Sequence, residues 1–170
     1  MEHTMVALGD SVPERGLMDA EARLRAWVKS GKRIQPTEFR DALHHIYDLE
    51  NQHRKRLSDS RYFPLRNADS DGRVVGGIVY ARGFVSHEGL DVADLIGHRP
   101  FILDRSSLDG DDGLDGQGIA MRWVGELPPP SQQHRAMDRD TMYSERVAGR
   151  DVMDTFTDAM SFFACVSSTS

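Results

Sequence analysis

Residues 73–90, RVVGGIVYARGFVSHEGL, form a nearly uncharged apolar run in a polar chain. Read as a strand, VVGGIVY has suitable β-branched residues, but its double glycine would weaken it and its alternation is poor. Read as a helix, the segment keeps one apolar face for about five turns, from Val74 to Val92. The sequence therefore favours a central helix that ends at Gly97.

Two helices are predicted before this run. LMDAEARLRAWV, residues 17–28, is amphipathic, with Glu21 and Arg25 as an ion pair one turn apart. The second helix runs over about residues 38–58 and begins after a proline and a capping threonine. Its apolar stripe consists of Phe39, Leu43, Ile46, Leu49 and Leu57. The NADSDG segment that follows predicts a turn with helix-capping residues.

The chain changes character after the central helix. Residues 98–130 contain two short apolar runs, 101–103 and 119–124, on either side of an acidic, glycine-rich segment. This pattern predicts a β-hairpin or a long loop inserted into a helical body. Residues 131–147 indicate a solvated linker, and residues 150–166 carry an apolar helical stripe.

Four helices and one insertion indicate an all-α fold. The chain length of 170 residues suits a single helical domain over residues 1–170. A four-helix bundle is the simplest way to bury four apolar stripes. We therefore expect a bundle with the 98–130 insertion between its third and fourth helices.

The composition limits the classes of function. No stretch approaches the roughly 18 apolar residues that a membrane-spanning helix needs, so we expect no membrane partner. The N-terminus lacks the features of a signal peptide, and Cys165 is the only cysteine. Both observations favour a reducing, cytoplasmic setting. The net charge of −6 argues against sequence-blind adhesion to nucleic acid, although it leaves room for a local basic groove.

The sequence predicts neither a metal nor a cofactor. The aspartates of residues 109–115 suggest a calcium loop, but a register that starts at Asp111 places Arg122, not glutamate, at position twelve. A flexible, solvated turn is the ordinary interpretation of this segment. His44 and His45 are adjacent on a helix, so they point about 100° apart and cannot bind one ion from the same face.

Glu50 and His53 lie three residues apart, and both fall on the apolar stripe of the second helix. Buried polar groups need partners. The pair is therefore either a satisfied hydrogen bond in the core or part of a cleft.

Arg82 and His87 in the central helix show an arginine followed five positions later by a histidine. Chance supplies about 0.7 such pairs in a chain of this composition, and Arg40 with His45 is another. Arg40 and His45 flank a surface helix, where solvated charges are the ordinary interpretation. Arg82 lies instead in a helix that is apolar nearly all round, where a charge is costly unless it has a partner or a role.

A helical wheel places Gly76, Tyr80, Gly83 and His87 within one sector of roughly 60°. The glycines leave a notch, and each costs the helix about 1 kcal/mol relative to alanine. Something therefore approaches closely there, either a second helix of the same chain or a dimer partner. Arg82 points about 140° away from His87. The two groups meet only if the guanidinium arm curls back or if two copies of the helix come together in a dimer.

A four-helix body with this arginine–histidine pattern on its third helix resembles the HEPN superfamily of small helical domains. The resemblance covers about residues 36–96 and the final helix. It implies a metal-independent ribonuclease in which a dimer joins two motifs in one site, with Arg82 on the phosphate and His87 as general acid or base. Gly83 stands where the family often has a polar residue. The segments VYARGFVSH and VAGRDV are also similar to stretches of small uncharacterised bacterial proteins.

Two functions stay open at this point. The first is an HEPN-like endoribonuclease, a homodimer that acts on RNA in a toxin, stress or defence setting. The second is a non-catalytic helical dimer, a binding or regulatory module in which Gly76, Tyr80 and Gly83 pack an interface. A ligand-binding bundle that uses Glu50 and His53 is a third, lesser interpretation.

Overall fold

The structure, a computed structural model, describes residues 12–30, 37–87, 91–97, 119–128 and 138–168. Within these ranges it contains six helices and a two-stranded antiparallel sheet. In chain order they are α1 (Val12–Ser30), α2 (Thr37–Leu57), α3 (Asp59–Ala68), α4 (Ser70–His87), β1 (Ala93–Gly97), β2 (Ile119–Trp123), α5 (Arg139–Arg146) and α6 (Val152–Ser168). The mainly helical character is confirmed, but α3 and α5 lie outside the four predicted helices.

The helices α1 and α2 pack against each other as amphipathic helices. The whole predicted stripe of α2 is buried, from Phe39 to Leu57. On α1, Arg25 and Glu21 form the expected ion pair, with 2.6 Å between Nη2 and Oε1. Because this pair is largely exposed, it contributes little to stability, and burial of the apolar faces holds the two helices together.

Between α2 and the central helix lies the short helix α3, which the sequence pattern does not reveal. Pro64 within it has no N–H to bond to the preceding turn. Ser58 separates it from α2 with a positive φ of 68°. Asp69 alone of the predicted turn lies between the two helices. Its Oδ1 accepts hydrogen bonds from two backbone N–H groups at the start of α4, each at 2.8 Å. This is the capping that the sequence predicts there.

The central segment is helical, as predicted, but only as far as His87. The residues of its predicted apolar face are buried, namely Val74, Ile78, Ala81 and Val85. The predicted continuation to Gly97 is wrong, because Ala93–Gly97 is strand β1. Five residues are too few for apolar periodicity to separate a strand from a turn of helix, and pairing with β2 decides the matter.

The strand β2 confirms the apolar run predicted at 119–124, but its partner is β1, in a register that pairs Ala93 with Trp123. The other predicted run, 101–103, lies outside the described residues. The sheet is part of the core. Trp123 is 2% exposed, and its indole N–H donates to the hydroxyl of Thr155 at 2.8 Å. The insertion therefore supplies a large core side chain and is not merely an excursion from the helical body.

The linker predicted over 131–147 is wrong for residues 139–146, which form α5. Residues 131–137 lie outside the described part of the chain. Met142 and Tyr143 of α5 are buried, and the helix packs against α4. Charged residues surround these two anchors, so composition alone indicates a solvated segment.

The final helix α6 confirms the helical stripe predicted for residues 150–166. Its Phe156 meets Phe39 of α2 and Trp123 of β2, with ring centroids 6.4 and 6.3 Å apart. This aromatic group joins the first and last parts of the chain in one core. None of the described helices is both long and apolar enough to cross a membrane.

Candidate functional site

Arg82, the arginine of the apolar helix, is half-buried and is held by two residues of α2. Its guanidinium carbon lies 4.0 Å from the centroid of the Tyr47 ring. Its Nη2 donates a hydrogen bond to Nδ1 of His44 at 3.1 Å. Tyr47 follows His44 by three residues, so both project from one side of α2. We call Arg82, His44 and Tyr47 the Arg82 site. The cation–π contact helps to offset the cost of a charge in an apolar helix.

The hydrogen bond fixes the tautomer of His44. Because a guanidinium has donors and no acceptor, Nδ1 of His44 accepts, and the ring hydrogen is on Nε2. His44 is exposed. The Nε of Arg82 is buried and has no hydrogen-bond partner among the described residues. The Arg82 site therefore presents a cation beside the imidazole of an exposed histidine.

The neighbouring histidine faces a different helix. The ring of His45 lies against Gly16 of α1, where an added Cβ would come within 2.6 Å of its Nε2. His44 and His45 therefore diverge, as adjacent residues on a helix must. In the parts of the chain that the structure describes, no group of three or more His, Cys, Asp or Glu side chains is placed to hold a metal ion. The acidic segment 109–115 lies outside those parts.

The backbone of His87 ends α4, five residues after Arg82. Its side chain lies outside the described part of the chain. The imidazole that contacts Arg82 belongs to His44, a residue that the sequence places on the exposed face of α2. A meeting of Arg82 and His87 in a dimer therefore stays a prediction.

The glycine notch of α4 has two different ends. A Cβ on Gly76 would collide with the sulfur of Met142, and one on Gly77 would lie 2.6 Å from Cγ2 of Val147. A helix of the same chain, α5, therefore occupies this end. At Gly83, no heavy atom from the described ranges lies within 4 Å of an added Cβ. None of the described residues therefore fills the space beside Gly83.

Tyr80 lines a cleft between α4, α5 and residues 125–128, with a volume of about 320 Å³. Its hydroxyl donates to the carbonyl of Pro128 at 3.3 Å and so ties one wall to α4. The charged residues of the lining are Glu126 and Asp140. An acidic lining disfavours a phosphate ligand, so the cleft and the Arg82 site suit ligands of opposite charge.

Glu50 and His53 are both buried, but their polar atoms bind other residues. Oε1 of Glu50 accepts from Nη1 of Arg66 at 2.7 Å, and Oε2 accepts from Nη2 of Arg139 at 3.0 Å. Arg66 is 0% exposed. We call Glu50, Arg66, Arg139 and the adjoining Tyr62 the Glu50 cluster. It links α2, α3 and α5 through charge-assisted hydrogen bonds, which are stronger than neutral ones.

The Glu50 cluster holds two guanidinium groups for one carboxylate. Arg66 also donates to Oδ1 of Asn67, at 3.0 Å from Nε and 2.9 Å from Nη2. Burial lowers the pKa of Arg139, and the charge of Glu50 opposes that shift. The hydroxyl of Tyr62 is buried without a hydrogen-bond partner among the residues described. Burial and then the charge of Glu50 raise its pKa.

Sequence reasoning misses both arginines of this cluster. The one available signal is Glu50 itself, because a carboxylate on an apolar stripe must find a cationic partner. The chain offers many arginines, and nothing in their local sequence marks Arg66 or Arg139. Their role becomes visible only when α3 and α5 are packed against α2.

His53 is a core residue with a perturbed imidazole. Its ring stacks on Phe163 of α6, with centroids 5.4 Å apart. Burial and then the positive charge of Arg56 lower the pKa of His53 to about 4, against an opposing effect of Glu14. His53 is therefore neutral near pH 7. It serves packing between α2 and α6 and does not bond to Glu50.

Comparisons with known proteins assign no family to the chain. It matches no protein-family model, no curated protein and no solved structure. The likeness to the HEPN superfamily therefore rests on the arginine–histidine pattern and the helical character.

Proposed function

We propose that this protein is a metal-independent, HEPN-like endoribonuclease that acts as a homodimer in a toxin, stress or defence setting. Arg82 binds the scissile phosphate, and His87 is the general acid or base. One observation carries the proposal: half-buried Arg82 is held by Tyr47 and His44, and none of the described residues fills the space beside Gly83. A guanidinium that is already held in place loses less side-chain entropy when it binds a phosphate.

The reaction needs only proton transfer and charge stabilisation. The 2′-oxygen of a ribose attacks the adjacent phosphorus, and its proton passes to an imidazole. The bond between phosphorus and the 5′-oxygen breaks, and the leaving oxygen takes a proton from a second imidazole. The products are a 2′,3′-cyclic phosphate and a 5′-hydroxyl. A homodimer supplies two His87 side chains for these transfers, and Arg82 stabilises the charge that develops on the phosphate.

The test is cleavage of total RNA with EDTA present, with the new ends identified by mass spectrometry. We expect the wild type to cleave, and His87→Ala to lower the rate by about 10²–10⁴-fold. Arg82→Gln should lower it by about 10²-fold or more. His45→Ala is the matched control, because that ring faces α1, and it should retain the wild-type rate. Equal cleavage by wild type and His87→Ala, or none by the wild type, would falsify the proposal.

A second function, the non-catalytic helical dimer, is supported by a different observation. Tyr47 and His44 already contact Arg82, so the charge on α4 has a structural explanation without a substrate. In this function Gly83 is the contact point for a second copy, because no described residue lies within 4 Å of a Cβ added there. Gly83→Trp should then convert a dimer to a monomer in sedimentation experiments while RNA remains intact with every variant. A monomeric wild type would contradict this function.

A further inference from the structure

The cleft between α4, α5 and residues 125–128 carries negative charge on two walls. Glu126 belongs to the wall formed by residues 125–128, and Asp140 belongs to α5. We propose that this cleft binds an alkyldiammonium, a small aliphatic molecule with a protonated amine at each end. Each of the two carboxylates accepts hydrogen bonds from one ammonium group. Neither residue has a part in the proposed cleavage of RNA.

The two carboxylates are not neutralised by any residue of the described lining. The ion pairs in the described part of the chain use other acids, such as Glu50 and Asp158, and no basic residue is among those that line the cleft. Arg139 precedes Asp140, but its Nη2 donates to Glu50 at 3.0 Å. Two like charges on one cleft raise the local concentration of cations, and a dication balances both charges.

Two tyrosines hold the wall that carries Glu126. The hydroxyl of Tyr143 donates to the carbonyl of Val124 at 2.6 Å, and that of Tyr80 donates to the carbonyl of Pro128 at 3.3 Å. These hydrogen bonds lie on either side of Glu126 in the chain. The wall is therefore fixed to α4 and α5 before a ligand enters, which lowers the ordering cost of binding.

The size of the cleft and the apolar part of its lining indicate the kind of cation. A volume of about 320 Å³ suits a small molecule. Tyr80, Leu127 and Tyr143 supply apolar surface that the methylene groups of an alkyl chain can cover. A metal ion needs more oxygen ligands, and within the described ranges no group of three or more His, Cys, Asp or Glu side chains is placed to hold one.

Isothermal titration calorimetry of the full-length protein with the series from 1,3-diaminopropane to 1,6-diaminohexane tests the proposal. The diamine that binds most tightly should bind about tenfold more tightly than the monoamine of the same chain length, which lacks one charge-assisted hydrogen bond. Glu126→Gln and Asp140→Asn should each weaken the Kd for this diamine by about tenfold. The double variant should lose measurable binding.

Asp154→Asn is the matched control for Asp140→Asn. Asp154 is also an exposed aspartate in the first turn of a helix, but it does not line the cleft. This variant should bind the diamine like the wild type. Glu126 and Asp140 are exposed, so circular dichroism should show all the variants folded.

Four outcomes would overturn the inference. They are a wild type that binds no diamine, a monoamine that binds as tightly as the diamine, a double variant that binds like the wild type, and an equal loss for Asp154→Asn and Asp140→Asn. The last outcome would mean that the diamine responds only to the net charge of the protein. Because the variants leave Arg82 and His87 unchanged, RNA cleavage and diamine binding can succeed or fail separately.

Discussion

Among the guanidinium groups that lie over aromatic rings in the described part of the chain, those of Arg66 and Arg82 have two different settings. In the Glu50 cluster, Arg66 is fully buried, bonds to a carboxylate and lies 4.9 Å from the centroid of Phe63. In the Arg82 site, the guanidinium lies 4.0 Å from the Tyr47 ring, is half-exposed and bonds to an imidazole. Only the buried arginine is paired with a carboxylate. The comparison shows that an aromatic ring and one hydrogen bond to an imidazole hold a partly hydrated cation, whereas a fully buried cation is paired with an opposite charge.

The contrast extends to the histidines and glycines of the two regions. His53 and Gly77 are enclosed by neighbouring helices, whereas His44 is exposed and an added Cβ on Gly83 meets no described residue within 4 Å. A side chain that is enclosed in the folded protein loses its contacts when the chain unfolds, so changing it alters the free energy of unfolding. Substitutions of the same residue type at enclosed and at open positions should therefore have different effects, and three pairs of variants test this.

The arginines should show the largest difference. We expect Arg66→Met to lower the free energy of unfolding by about 3–5 kcal/mol, because it removes one partner of a buried carboxylate. Arg82→Met loses a cation–π contact and a partly exposed hydrogen bond, so its cost is about 1 kcal/mol. Urea denaturation followed by circular dichroism measures both. Equal losses for the two variants would contradict the distinction between sealed and open sites.

The histidines should differ in acid. The pKa of His53 is about 4 in the folded protein against 6.5 as its ordinary value. The unfolded chain thus binds more protons between these values, so stability is complete above pH 6.5 and falls as the pH decreases through the window. The free energy of unfolding falls by at most about 1.4 kcal/mol per pH unit, and its total loss is up to about 3 kcal/mol.

His53→Phe keeps an aromatic ring against Phe163 and should remove this part of the pH dependence. His44→Gln, at the exposed site, should leave the dependence as in the wild type. The measurement is the free energy of unfolding from pH 7 to pH 4. Parallel curves for wild type and His53→Phe would show that His53 is not the group that titrates.

Alanine substitutions at two glycines of α4 should change the free energy of unfolding in opposite directions. A Cβ on Gly77 would lie 2.6 Å from Val147 and 3.0 Å from the backbone of Tyr143. Overpacking of this kind costs about 1–3 kcal/mol. Gly83→Ala meets no described neighbour and should stabilise the helix by up to about 1 kcal/mol. Urea titrations of both variants provide the check, and a stabilising Gly77→Ala would mean that α5 does not pack against α4 as the structure has it.

Two tyrosines of the core provide the smallest and most discriminating comparison. The hydroxyl of Tyr62 has no hydrogen-bond partner within the described ranges, whereas that of Tyr143 donates to the carbonyl of Val124 at 2.6 Å. Tyr143→Phe should therefore cost about 1 kcal/mol, while Tyr62→Phe should leave stability unchanged within about 0.5 kcal/mol or raise it. Thermal unfolding of the two variants under the same buffer is sufficient. A larger loss for Tyr62→Phe would reveal an acceptor for its hydroxyl.

Much of the helical framework follows from local periodicity. The stripes of α2 and α6 are long enough for the helical period to be read without any knowledge of their partners. The helices α3 and α5 are short, and one contains Pro64 while the other carries only two buried anchors among charged residues. Their helical state depends on packing against α4, so neither could be predicted from its own residues.

The candidate site shows the same division. Arg82 can be recognised as costly because its own helix is apolar, and the need for a partner follows from that observation alone. His44 cannot be recognised, because an exposed histidine on an amphipathic helix has no unusual feature. Its role as the hydrogen-bond acceptor for Arg82 appears only when α2 packs so that the two side chains lie within hydrogen-bond distance.

By itself, the sequence determined that α4 is an apolar helix, that its glycines admit a close neighbour, and that Arg82 and Glu50 need partners. These conclusions follow from the local period of side chains and from the cost of burying charge. Only the tertiary structure decided that α5 is the neighbour and which residues are the partners. Arg82 and His44 are 38 residues apart in the chain, and Glu50 and Arg139 are 89 apart. Contacts over such separations depend on how all the helices pack together, and no local pattern encodes them.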